Sequence, residues 1–239
     1  IPYTFSDPMV LSLTLNKAVT KRVIRDAGIR TAPFIEVAPG ENPGNLPFPA
    51  PYFVKPLAEG TGKGIGPDSI VRQPGDLKAV CERLTARYRQ PVLVESYLSG
   101  REFTVGIVGT GKHAQVLGSV EVVLRAEAEQ GVYSYLNKER FQELVDYRLV
   151  NPEIETVGAG LEALALDAYR VLGCRDAGRV DVRCDGDGVP HFIEINPLAG
   201  IHPEHSDLPI ICSKVGITYR SLIERIMTSA CERAGSGGT

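Results

Sequence analysis

The sequence predicts an α+β protein of two lobes, and three observations carry that prediction. Strand-like segments at 102–108 and 114–124, and again at 178–184 and 191–196, are joined by the turns Gly109-Thr110-Gly111-Lys112 and Asp185-Gly186-Asp187-Gly188. Two such runs closed by a short glycine turn read as antiparallel hairpins. Helical stretches are interspersed among them without the strict alternation of a parallel sheet. The style changes near 96–101, from short elements to long hairpins, so the lobes are expected at 1–97 and 98–239.

In chain order, Leu11, Leu15, Val19 and Val23 recur every four residues, which predicts one helix over 7–28 with Gly28 as its stop. Residues 31–37 alternate as a strand. The Pro-, Gly- and Asn-rich stretch 38–51 reads as a loop. A short strand at 52–55 runs into 56–66, where Gly60, Gly62, Gly64 and Gly66 fall at every second position. A helix is expected at 76–87 and a strand at 92–95. After the first hairpin, the polar, Glu-rich stretch 125–148 shows no clear period. Helices are predicted at 155–172 and 219–231, with a frayed tail over 232–239.

The 239 residues carry 26 Lys and Arg against 29 Asp and Glu, a net charge of −3. That balance lacks the basic footprint of a nucleic-acid-wrapping protein, so no nucleic-acid partner is expected. No apolar run approaches the roughly 20 residues of a membrane span, and no basic-then-apolar leader opens the chain, so a cytoplasmic protein without a membrane partner is expected. The five cysteines show no CxxC pair and read as reduced thiols. The chain opens on Ile1 without a Met, which suggests a trimmed piece.

Several motifs fail on their physics. Residues 106–113 spell GxxxxGK but continue with His113 into a strand, whereas a phosphate-cradling loop needs a helix N-terminus. His202, Glu204 and His205 lack the further ligands of a zinc site. Ser206 sits in no nucleophile elbow.

One constellation survives. Alternation along 178–184 and 191–196 places Arg179, Asp181 and Arg183 on one face with Glu194 and Asn196, and Val180 and Val182 on the other with Ile193 and Ile195. A four-residue turn over 186–189 sets Asp181 opposite Glu194 and Arg179 opposite Asn196, whereas a two-residue turn at Gly186-Asp187 shifts the pairs but keeps the same residues on that face. Directly opposed carboxylates repel, and a dication removes the repulsion; an all-oxygen set suits Mg²⁺ sharing substrate phosphates. From the hairpin alone, a solvated face of an antiparallel sheet is the commoner reading. The glycine loop adds weight to the first reading. Its backbone N–H groups can fold over an anion, and Lys55 at its base supplies a point charge.

Taken together, Lys55-Pro-Leu-Ala-Glu59-Gly-Thr61-Gly, Val94-Glu95-Ser-Tyr97-Leu98-Ser-Gly-Arg-Glu102, Gly178-Arg179-Val-Asp181-Val and Glu194-Ile-Asn196 resemble an ATP-grasp ligase of the D-alanine–D-alanine ligase type. The opening Ile1-Pro2-Tyr3-Thr4, Asn16-Lys17-Ala-Val-Thr-Lys21 and the closing Ser206-Asp-Leu-Pro209 fit the same pattern in the same order. The resemblance implies an ATP-grasp fold with ATP held between the lobes. It assigns Lys17 and Lys55 to the phosphates, Glu95, Tyr97 and Leu98 to the adenine pocket and Glu102 to the ribose. Glu59 is counted with this nucleotide set. Asp181, Glu194 and Asn196 would bind Mg²⁺, with Mn²⁺ able to substitute. Arg179 would stabilise the acyl phosphate and tetrahedral intermediate, Thr61 would touch substrate or phosphate from the flap, and Lys138 in a mobile loop would reach a phosphate. Gly200 would offer a backbone donor, and Ser206 would take the second amino acid's carboxylate.

Implied, then, is ATP-dependent ligation of two D-alanines through an acyl phosphate, for peptidoglycan precursor synthesis. Glu139, where Tyr is usual, and the unusual run from Asn196 to Ser206 leave two alternatives open. One is a ligase for other amino acids or peptides. The other is an ATP-binding module inactive without an N-terminal domain, which the resemblance expects before this chain. Amino acids are the expected small-molecule partners. The resemblance allows a homodimer.

Overall fold

The computed structural model describes residues 3–155 and 157–236. Ile1 and Pro2 of the opening motif, residue 156 of the expected helix and 237–239 of the expected tail lie outside them.

Helix formation begins at Asp7, whose carboxylate accepts from Val10 N–H and caps α1, Pro8–Leu15. The single expected helix is in fact two. Asn16 is extended (φ −86°, ψ 99°) and caps α2, Lys17–Asp26, by accepting from Val19 N–H. The break rotates the buried face. Leu15 and Val19 of the four-residue stripe are exposed, and Lys17, Ala18, Thr20, Lys21 and Ile24 point inward instead.

A four-stranded antiparallel sheet follows, from β1 (Phe34–Val37), β2 (Tyr52–Pro56), β3 (Ile70–Val71) and β4 (Val92–Ser96), in the order β1-β4-β2-β3. The helix α3, Leu77–Tyr88, buries Leu77, Cys81 and Leu84 against Val54, Val92 and Val94 on one face. The other face meets Ala18 of α2 at Leu93.

The second sheet has five antiparallel strands. These are β5 (Glu102–Val108), β6 (Gln115–Leu124), β7 (Val145–Leu149), β8 (Ala177–Cys184) and β9 (Pro190–Asn196), ordered β7-β6-β5-β8-β9. The stretch that shows no clear period thus contains a strand, β7, and two short helices, α4 (Tyr135–Glu139) and α5 (Phe141–Leu144). Helix α6, Gly158–Val171, buries Leu161, Ala165, Ala168 and Tyr169, an amphipathic stripe packed on Phe103, Val105, Val180 and Val182. Val10 and Ile24 join this core, so the N-terminal helices pack on the five-stranded sheet although they precede the first sheet in sequence. On its opposite face lies a helix that the sequence pattern does not announce, α7 (Asp207–Lys214), together with α8 (Tyr219–Ser236). The helix α8 continues through 232–236 of the stretch expected to fray. The described helices include none long and apolar enough to cross a membrane.

The β8–β9 register matches the expected opposition of Asp181 with Glu194 and Arg179 with Asn196. It then shifts, so that Val182 faces Phe192. Ile193 is the extra residue of a bulge, which breaks the two-residue period. Phe192 therefore takes the core place expected of Ile193, and Ile193 turns toward the cleft between the sheets.

Candidate active site

Register builds the floor of the site. Glu102, Thr104 and Gly106 on β5 pair with Arg183, Asp181 and Arg179 on β8, which pairs in turn with Glu194 and Asn196 on β9. The outcome is one polar face across three strands, looking into the space under the first sheet. It divides two neighbouring cavities. The first, between the sheets, is lined by Ala32, Phe53, Tyr97, Leu98 and Ile193 at its apolar end. Lys55, Glu102, Lys138, Asp181 and Glu194 line its charged end. The second holds Thr61, Arg179, Asn196, Gly200, Ser206 and Asp207. Tyr133, Lys138 and Glu194 line both and form the wall between them.

The cationic side is set by α2 and β2. Lys21 and Lys55 both pair with Glu95, Lys55 at 2.6 Å, and all three are buried. Burial would raise the Glu95 carboxyl, but the two ammonium groups outweigh it and hold it below the ordinary range. Burial pulls Lys21 down to about 8, against the raising effect of Glu95. Lys55 also loses hydration, yet Glu95 and Glu194 more than compensate and keep it charged. Glu95 thus lines the cleft with its carboxylate committed to lysines. Lys21 is a residue whose importance sequence reasoning missed; it lies one helical turn after Lys17.

Lys17 donates to the Glu59 carbonyl and stands 3.7 Å from Glu194. The Glu59 side chain instead accepts from Gln90, and neither Glu59 nor Lys17 is part of the lining of either cavity, Lys17 reaching the site through Glu194. Glu194 loses hydration, which opposes ionisation, but Lys138, Lys17, Lys55 and Arg179 drive its carboxyl down to about 2. Glu102 is raised by burial, which Arg183 at 3.1 Å partly offsets. Arg183 also donates to Tyr97 Oη at 3.2 Å, and Tyr97 donates to the Gly131 carbonyl at 2.7 Å. That set fastens the 131–139 segment over the apolar end.

Arg179 is stretched between two carboxylates. Its Nε and Nη2 hold Asp181 at 2.8 and 2.9 Å, and its Nη1 holds Asp207. Thr104 Oγ1 donates to Asp181 at 2.8 Å. Gly200 and Ser206 are in contact, since a Cβ on Gly200 would stand 2.6 Å from Ser206 Oγ. Ser206 Oγ accepts from His202 N–H at 3.0 Å at the start of α7. In the flap, Thr61 takes φ 59°, a left-handed conformation that is uncommon for a β-branched residue. Gly62 next to it lies against Tyr135 and Lys138, and Ile65 accepts from Tyr135 N–H at 3.4 Å. Flap and 131–139 segment therefore meet above the wall.

The donors fit a hard dication. Asp181 and Glu194 are opposed carboxylates, and Glu194 stays ionised well below neutral pH. The buried Asn196 Nδ2 has no hydrogen-bond partner, so the amide can turn its oxygen to that side without losing a bond. Oxygen-only sets of this kind suit Mg²⁺. Among the described residues no group of three His, Cys, Asp or Glu side chains clusters for a metal, and the exposed His202 and His205 rings lie 4.6 Å apart.

A family model described as D-ala D-ala ligase C-terminus matches residues 23–228. The D-alanine–D-alanine ligase of Bordetella petrii is 34% identical over 232 residues, covering 96% of this chain and 68% of that protein. The enzyme of the same name from Trichlorobacter lovleyi is 32% identical, covering 100% and 72%. The crystal structure of D-alanine–D-alanine ligase from Bacillus anthracis, complexed with ATP, matches with a TM-score of 0.79 at 23% identity, over 100% of this chain and 73% of that one. That last likeness is one of fold.

Proposed function

The chain belongs to the D-alanine–D-alanine ligase family and has its ATP-grasp fold, and from that premise we propose that it joins two D-alanines at the expense of ATP. The observation that carries this reading is the shared wall. One polar strand face, with lysines massed on it, separates an apolar-ended cleft from a second cavity. A phosphoryl group leaving the first can be received in the second.

In this reading the adenine lies among Phe53, Tyr97 and Leu98, with Glu102 toward the ribose. Lys17, Lys55 and Lys138 neutralise the phosphates. Asp181, Glu194 and Asn196 would hold Mg²⁺, which when bound screens phosphate charge. The first D-alanine's carboxylate attacks the terminal phosphorus, and ADP leaves. The amine of the second attacks the resulting acyl phosphate, and inorganic phosphate leaves as the tetrahedral carbon collapses to the amide. Arg179 supports the negative charge that develops on oxygen. Ser206 and the first N–H groups of α7 receive the second carboxylate, in the manner of an anion at a helix N-terminus. The chain supplies no nucleophile; its part is positioning and charge neutralisation.

The test is Mg-ATP turnover with D-alanine, following ADP, phosphate and the dipeptide together. One dipeptide per ADP is expected. Stimulation of ADP release only by L-amino acids or by peptides would overturn the substrate assignment.

Gly200→Ala isolates the acceptor side. Its methyl group would press on Ser206 Oγ, so the KM for D-alanine is expected to rise about tenfold, the cost of roughly one hydrogen bond. ATP affinity should be unchanged, and a parallel loss of both would show a wider disturbance.

A further inference from the structure

We propose that Asp207 is a positioning residue that holds Arg179 across the wall toward the acceptor cavity, and that Tyr147 fixes Asp207 in turn. The proposal rests on the ligase reading for what Arg179 does, and on geometry for how it is held.

Three contacts build the device. Arg179 spends Nε and Nη2 on Asp181, a paired fork that on its own would draw the guanidinium back onto its strand. The Nη1 contact to Asp207 pulls the opposite way, toward Ser206. Asp207 is the first residue of α7, which is anchored by buried Leu208 and Ile211, so its backbone is fixed. Its other oxygen accepts from Tyr147 Oη at 2.6 Å, and Tyr147 Oη lies 2.7 Å from Tyr133 Oη. Tyr133 belongs to the wall and carries the Lys138 ammonium 4.9 Å from its ring centroid. The hydrogen-bonded line Tyr133–Tyr147–Asp207–Arg179 therefore runs from the segment that closes the nucleotide cleft to the group that meets the developing charge. Without Asp207 the Asp181 fork, helped by the Glu194 charge, would draw the guanidinium away from the acceptor cavity.

The experiment measures kcat, the KM for D-alanine and the ATP dissociation constant for Asp207→Asn, Tyr147→Phe and the double variant. Asp207→Asn is expected to lower kcat by about tenfold to a hundredfold, the range of a lost transition-state contact. Tyr147→Phe should lower it less, and the double variant should be no worse than Asp207→Asn, because both act through one contact. ATP affinity should stay within about twofold throughout. Unchanged kcat in Asp207→Asn, additive losses, or a fall in ATP affinity matching the fall in kcat would each overturn the proposal. A second readout separates it from the ligase reading. The Tyr147 phenol donates to the Asp207 carboxylate at 2.6 Å, so the ultraviolet difference spectrum of Asp207→Asn against the parent should show a shift of the tyrosine band. A chain that shows this shift but no D-alanine turnover would refute the substrate while keeping the Asp207–Tyr147 contact. A chain that turns over D-alanine but shows no shift would refute the positioning line alone.

Discussion

Replacing Glu95 by glutamine is expected to destabilise this protein by about 3–5 kcal/mol, the cost of breaking a buried ion pair. Glu95 is 3% exposed, and its partners Lys21 and Lys55 are 1% and 2% exposed. A neutral amide there leaves two ammonium groups in a low-dielectric interior without the carboxylate they both pair with, and only the more weakly acting Glu194 and Glu102 charges remain for Lys55. For a chain of this size the melting temperature should fall by about 6–20 °C. Nucleotide affinity should fall too, because an uncompensated Lys55 either sheds its proton or moves. A companion variant separates the effects. Lys21→Met, Lys55→Met and Glu95→Leu together remove the charges and their desolvation cost, and such replacements can restore stability. Thermal stability should recover in the triple variant while ATP binding does not. A Glu95→Gln protein that melts like the parent would show that the lysines are neutralised elsewhere.

Arg179→Lys is expected to lower kcat about a hundredfold or more, with ATP affinity within a few-fold of the parent. Lysine keeps the charge but cannot span Asp181 and Asp207 with a planar fork. The change therefore tests geometry rather than charge, and leaves both carboxylates a cation nearby. The split between kcat and ATP affinity is the diagnostic. A loss confined to ATP affinity would move Arg179 from the ligation step to nucleotide binding.

The elements that are legible in the sequence are those whose signal is local. The turns after Val108 and Cys184 announce their hairpins, and two-residue alternation is enough to put Asp181 and Glu194 on one face, while the length of the turn decides that they stand opposite each other. The bulge at Ile193 is not legible, because one extra residue leaves composition unchanged while reversing which side chain enters the core. The N-terminal helices show the same limit. Four-residue spacing suggests one stripe, but Asn16 can end one helix and cap the next. Lys17 and Lys21, polar by type, form the inward face because Glu95 and the Glu59 carbonyl wait there. Strand β7 carries a weak pattern because it is an edge strand, with Asp146, Arg148 and Leu149 exposed. Asp207 lies 28 residues from Arg179, and no spacing rule joins them.

The central claim is that the polar face of β8 and β9 and the lysines beside it grip Mg-ATP. Calorimetric titration of ATP into the chain, with and without Mg²⁺, beside a Glu194→Gln variant, tests it most directly. The account predicts binding that depends on Mg²⁺ and is weakened about tenfold or more by the variant, the loss of one charged contact. ATP binding indifferent to both the cation and the variant would contradict it, and would reduce the face to a solvated sheet surface.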